Sequence, residues 1–398
     1  MNKTKKFWLF AVILLCTIVF LIGAIQISKI IEYQNSDFFQ FWLGSRNIWD
    51  GRDPYNSAEW IQAHQDFGTD RIASPAYLYP LPLAILLAPL GILPLKTAFI
   101  AWTFLSESLL LISILLLLRS TNFHKTKHLL LPIILANIIF RPTTTNILGG
   151  QLSSLYLFIA TLAAMLWHKE KWFWGGATLA LLAIKPSVGF PLLLIVTPWL
   201  LARKKYPALA GIASTGIFLL FTSLLKDPLW IPKYINILST KLGNEFGNSP
   251  TIWGFSAMAC NFEKGCTTWL GGIALVLFLL LNIWLLSKWH FSSPILSLGH
   301  LISVNLLSTL YLWPYDHLLL TIPIVFTMVF LLQKGTPFLK VSLIFLSVSL
   351  ASVFIRVATI LIHLERETLY GLLPLLVWGL TTWVLVRENR ATSQHTPI

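Results

Sequence analysis

The chain has 398 residues, 56% hydrophobic and only 11% charged, with a formal net charge of +13. A soluble domain of this length needs far more charge on its surface, so that class is excluded. In a soluble protein the positive excess would suggest nucleic acid; between apolar segments it is an orientation signal, and no nucleic-acid partner is expected.

A helix that crosses a bilayer needs about 20 mostly apolar residues. Such stretches recur from end to end, so the expectation is an all-α polytopic membrane protein, one embedded domain over residues 1–398. Lys3, Lys5 and Lys6 precede an apolar run too long for a cleaved leader, which reads as a retained first helix with its N-terminus inside. About twelve transmembrane helices follow the hydropathy, near 7–27, 97–118, 129–140, 150–167, 172–184, 187–201, 207–225, 269–287, 294–312, 317–332, 338–358 and 370–386. The stretches 129–140 and 172–184 are short for a crossing. Segment 77–94, YLYPLPLAILLAPLGILP, is broken by prolines and reads as an interfacial or re-entrant piece.

Alternating sides puts the basic loops RSTNFHKTKH, HKEK, LARKKY and SKWH together with both termini on the cytoplasmic side of a cell inner membrane. Two long loops, 28–76 and 226–268, then face outward. Both mix charge with Trp, Tyr and Phe, as segments at headgroup level do. In the first, FFQFWLGSRNIW reads as an amphipathic interfacial helix following Asp37. Cys260 and Cys266 lie close together in the second, where either a disulfide or two unpaired thiols would fit. His64, His300, His317 and His363 are scattered without ligand spacing, so neither a metal nor another cofactor is expected.

Five polar features reach the outer side. They are Asp37; the turn GRDPYN with Asp53 and Tyr55; FRPTTTNILGGQ with Arg141 and Gln151; Lys185; and YLWPYDHLLL with Asp316 and His317. Lys185 stands alone between two apolar half-helices, directly before Pro186. An unpaired ammonium in lipid costs about 2.5–3.5 kcal/mol on insertion scales. Lys185 therefore faces an anion such as a phosphate, or it ends a helix and snorkels to water. Asp37 taken alone reads as a solvated surface carboxylate, as one just past a first helix usually is.

Taken in order, these features resemble glycosyltransferase family 87, the polyprenol-phosphate-mannose-dependent α-mannosyltransferases of GT-C architecture. The resemblance runs through Asp37–Phe38–Phe39 with Trp42, the turn Gly51–Arg52–Asp53–Pro54–Tyr55, and the Pro-Leu segment from Tyr79–Pro80 to Pro94 with Trp102. It continues through Gly150–Gln151, Lys185–Pro186 with the basic Arg203–Lys204–Lys205, and Trp313–Pro314–Tyr315–Asp316–His317. It implies an inverting transfer of a hexose, by family default mannose, from a polyprenyl-phosphate donor to a hydroxyl of a lipid or glycan acceptor, among membrane lipids. Inversion needs one carboxylate to take the acceptor's proton, which assigns Asp37 as base. The phosphate leaves without an acid if cations meet its charge, which assigns Lys185, Arg141 and His317 to the donor phosphate. Asp316 would then fix the tautomer of His317, with Gln151, Tyr55 and Asp53 orienting acceptor or sugar. The chain holds no Asp-x-Asp motif and no large inner domain, which agrees with a lipid-linked donor. A transporter or flippase of lipid-linked sugars remains the alternative of a different class, and a structural subunit is a third.

Overall fold

Long apolar runs without glycine-rich breaks have one low-energy choice in lipid, the helix, because every backbone group must find its partner locally. The computed structural model describes residues 3–69, 72, 74–120, 126–242, 246–291, 293–363 and 366–393, and these hold helices and no strand. Positions 70, 71 and 73 of the long stretch 28–76, 121–125 of the basic stretch RSTNFHKTKH and 243–245 of the long stretch 226–268 lie outside them.

Each of the twelve apolar stretches contains a helix, but they are not twelve equivalent spans. Among the described residues seven helices are long and apolar enough to cross a bilayer: Ile13–Ile30, Leu95–Arg119, Tyr206–Lys226, Lys264–Lys288, Pro314–Gln333, Phe338–Leu361 and Thr368–Asn389. The stretch expected at 129–140 is half of a pair, Lys127–Ile139 and Arg141–Leu148, bent by 66° and making an eighth span if counted as one. The bend falls before Pro142, whose ring cannot continue the preceding helix. Ser153–His168, Trp172–Ile184, Pro186–Ala202 and Pro294–Ser308 are apolar but short. Their brevity matters, because the ends they leave inside the bundle are where polar side chains collect.

The outer faces of the long helices are apolar: Ile13, Leu15 and Ile22 on the first, Ile217, Phe221 and Leu225 on Tyr206–Lys226, Leu277 and Ile283 on Lys264–Lys288. A surface of that kind requires lipid, and the protein is a membrane protein. Pro294–Ser308 and Thr321–Gln333 form the buried centre. There His300 bridges Asn282 (3.1 Å) and Thr381 (2.9 Å), tying three helices together.

The helix expected after Asp37 is Asp37–Asp50, but its aromatic face does not rest on headgroups. Phe38, Phe39, Phe41 and Trp42 are buried in protein, under the short helices Leu81–Leu86 and Ala88–Gly91 formed by the proline-broken segment. Indole N–H groups fasten that segment down: Trp42 donates to the Leu93 carbonyl (3.0 Å) and Trp49 to that of Ala88 (2.7 Å). Cys260 and Cys266 are joined in a disulfide between the helices Ile252–Ala259 and Lys264–Lys288.

Candidate active site

The site is built where helices stop. Asp37 opens its helix within the first turn, where the N-terminal dipole favours a carboxylate, and it is exposed. Its partner comes from the turn Gly149–Gly150–Gln151. Gly150 has φ +63°, and a Cβ there would sit 2.6 Å from the Cβ of Phe38, so only glycine lets the turn cross the start of the Asp37 helix. Trp102 donates to the Gly150 carbonyl at 2.9 Å, and the Gln151 amide N–H reaches the Asn146 carbonyl at 2.8 Å. Held in this way, Gln151 donates its side-chain amide to the Asp37 carboxylate.

Lys185 lies at the second break. Residues Leu181–Ile184 tighten into a 3-10 turn, Lys185 leaves helical geometry, and Pro186 starts the next helix. Gly189 packs so closely on the Leu182 carbonyl that a Cβ would lie 2.0 Å from it. The Lys185 ammonium is 6% exposed and bonds the Asp316 carboxylate at 2.6 Å, with the Tyr315 ring 4.7 Å away. Asp316 is wholly buried and also accepts from the Ser153 hydroxyl (3.2 Å) and the Trp313 amide (3.2 Å). The sequence expectation that Asp316 orients His317 is therefore corrected. Lys185 takes that carboxylate, while both ring nitrogens of the buried His317 lack a hydrogen-bond partner among the described residues.

Asp37 and Lys185 open onto one cavity of about 460 Å³. Its polar wall is completed by Gln40, Tyr79, Ser187 and Thr309, and its apolar side by Pro191, Leu238 and Leu310. Tyr234, Tyr311, Trp313 and Tyr315 close the remaining sides. Burial first, and then the Asp37 carboxylate, push the Tyr79 hydroxyl well above its usual value, so it stays a neutral donor.

Several expected residues stand elsewhere. Arg141 forms a two-armed pair with Glu367 (3.1 and 3.0 Å) and lies over the Tyr370 ring, and it does not line the cavity. Asp53 accepts from the Tyr55 amide (2.9 Å) inside its turn and from Lys233 (2.7 Å). Burial works against the Lys233 charge, yet Asp227 and Asp53 outweigh it and hold the ammonium above its usual value. Tyr55 donates to the Tyr79 carbonyl at 2.8 Å and so buttresses the wall from behind. Sequence reasoning missed Gln40, Tyr234 and Tyr311. Gln40 left a signal, a polar residue three after Asp37 between two aromatic pairs, and Tyr311 opens the motif YLWPYDHLLL.

Short helices, a buried ammonium beside an aromatic-lined cavity, and one exposed carboxylate form a pocket that can hold a polar group. Comparison with curated proteins and with solved structures returned no match. The profile of glycosyltransferase family 87 matches residues 77–313, which carry Tyr79, Gln151, Lys185 and Trp313, while Asp37 and Asp316 fall outside it. That match covers more than half of the chain, and the protein belongs to glycosyltransferase family 87.

Proposed function

We propose that this glycosyltransferase moves a hexose, mannose by the family resemblance, from a polyprenyl phosphate to a hydroxyl of a lipid or glycan acceptor. The reaction inverts the anomeric carbon and takes place on the extracytoplasmic face. The observation that carries this reading is the shared cavity: a carboxylate and an ammonium far apart in the sequence, Asp37 and Lys185, face one space. Pro191, on its apolar side, belongs to the helix Pro186–Ala202, on which Phe190 and Leu194 are exposed. A prenyl tail would leave the cavity there while its phosphate stays beside Lys185.

The steps follow from the residues. Asp37 accepts the proton of the acceptor hydroxyl as that oxygen attacks the anomeric carbon. The bond from that carbon to the phosphate oxygen breaks, and its electron pair stays on the polyprenyl phosphate. Lys185, with donors left over after Asp316, meets the charge that develops there. Inversion needs only this one base and one cation, in a single displacement through an oxocarbenium-like state. The facing rests on chain order: the basic turn Arg203–Lys204–Lys205 follows the far end of the helix Pro186–Ala202 from Lys185, and basic loops stay inside.

Purified protein in lipid, given labelled polyprenyl-phosphate mannose or a nucleotide-linked mannose with a membrane acceptor, tests this reading. The expected outcome is transfer from the lipid phosphate alone, with an inverted product. Transfer from the nucleotide donor, or retention, would overturn it. Movement of the donor across the bilayer without transfer would favour the flippase.

A further inference from the structure

We infer that Gln40 reads the sugar: its side-chain amide binds the donor hexose at the hydroxyl of C2, next to the reacting carbon, and sets which hexose is accepted. The inference rests on the donor reading above.

Gln40 interrupts a run of aromatics. Phe38, Phe39, Phe41 and Trp42 are buried, whereas Gln40 is only partly covered and turns into the cavity. Side chains three apart on a helix share a face, with their Cβ atoms about 5–6 Å apart. Gln40 and Asp37 therefore present to the same ligand from successive positions of one rigid element. Phe41 fixes that element, stacking edge-on to Tyr79 at 4.9 Å between ring centres.

The Asp37 side chain already receives Gln151, and Lys185 is held by Asp316. Gln40, by contrast, has no side-chain hydrogen bond among the described residues, and the same holds for the hydroxyl groups of Tyr79 and Ser187 on the same cavity. Of these three, only the amide offers a donor and an acceptor on separate atoms. A ring hydroxyl does both at once, so an amide can bind one hydroxyl in either role or bridge two neighbours. If the acceptor oxygen sits on Asp37 and the phosphate on Lys185, the anomeric carbon lies between them. C2 is one bond further, on the side where Gln40 stands three residues along the Asp37 helix.

Sites that hydrogen-bond a substrate hydroxyl discriminate strongly, because the protein group is left unpaired when that hydroxyl is missing. The test is a cycle between residue and substrate. Transfer is measured from polyprenyl-phosphate mannose and its 2-deoxy analogue, by wild type and by Gln40→Met, which keeps the length and loses the amide. Any intrinsic reactivity difference between the donors cancels in the comparison. The expected result is that the mannose-to-2-deoxy ratio of kcat/KM falls about 10- to 100-fold in Gln40→Met. Gln40→Asn, which shortens the reach but keeps the amide, should fall between. It also supplies the comparison if Gln40→Met fails to fold. An unchanged ratio, whether transfer is kept or uniformly lowered, would overturn the assignment of Gln40 and leave the donor reading intact. Absence of transfer by wild type from either lipid donor would overturn both.

Discussion

Lys185 and Arg141 are two cations that the sequence presents alike, each next to a proline at the start of a helix, and the structure uses them differently. Lys185 is paired with a wholly buried Asp316 and still faces a cavity, with side-chain exposures of 7% and 0% for the pair. Arg141 has both arms of its fork on Glu367, and its guanidinium lies over the Tyr370 ring; the Arg141 and Glu367 side chains are each 17% exposed. One pair leaves its cation on a cavity wall, and the other closes a joint between Arg141–Leu148 and the segment before the last helix. A fixed cation becomes a ligand site when donors remain and a space adjoins them; proximity to polar sequence does not suffice.

The largest way to break this contrast is at the two cations themselves. Lys185→Met should lower kcat about 10²- to 10³-fold, as loss of one charge-stabilising donor does. Arg141→Lys should leave transfer close to wild type in protein that is folded. Equal losses in the same transfer assay would erase the distinction. Next comes the buried partner. Asp316→Asn leaves an ammonium without its counter-charge, and breaking a buried pair in this way costs about 3–5 kcal/mol. The double variant Lys185→Met with Asp316→Asn should recover much of the thermal stability and none of the activity. A double variant as unstable as Asp316→Asn would show that the pair is not what Asp316 is for.

A smaller effect sharpens the outer layer. Burial first holds His64 below its ordinary 6.5, while the Trp60 carbonyl works the other way. The unfolded chain therefore takes up the proton more readily than the fold does. The stabilising contribution is full above 6.5 and declines as pH falls below it. His64→Gln should flatten the fall in melting temperature between neutral and mildly acidic pH, and an unaltered slope would remove His64 from that dependence.

Much of the fold was legible because lipid leaves a chain few options. All twelve apolar stretches contain helices, and the proline-broken segment forms two short helices, as its prolines require. Twelve apolar stretches do not by themselves count crossings, because hydropathy reports what a helix is buried in without saying whether that is lipid or protein. Pro294–Ser308 is apolar because neighbouring helices surround it. The same ambiguity put FFQFWLGSRNIW on the headgroups: its spacing defines an apolar face but not what covers it. At the site, Asp37 and Gln151 were singled out separately, and their contact spans 114 residues. The Lys185–Asp316 pair spans 131 and Arg141–Glu367 spans 226, separations that no local pattern encodes. Asp316 neighbours His317 in the sequence, and only the fold brings Lys185 to it.

The central claim is that Asp37 takes the acceptor's proton in the cavity it shares with Lys185, and the most direct test is Asp37→Asn. Transfer from labelled polyprenyl-phosphate mannose would be measured in lipid beside donor binding, for this variant and wild type. The account predicts unchanged donor binding and a loss of transfer of about 10²- to 10⁴-fold. Equal transfer by the two proteins would contradict it and remove Asp37 from the chemistry.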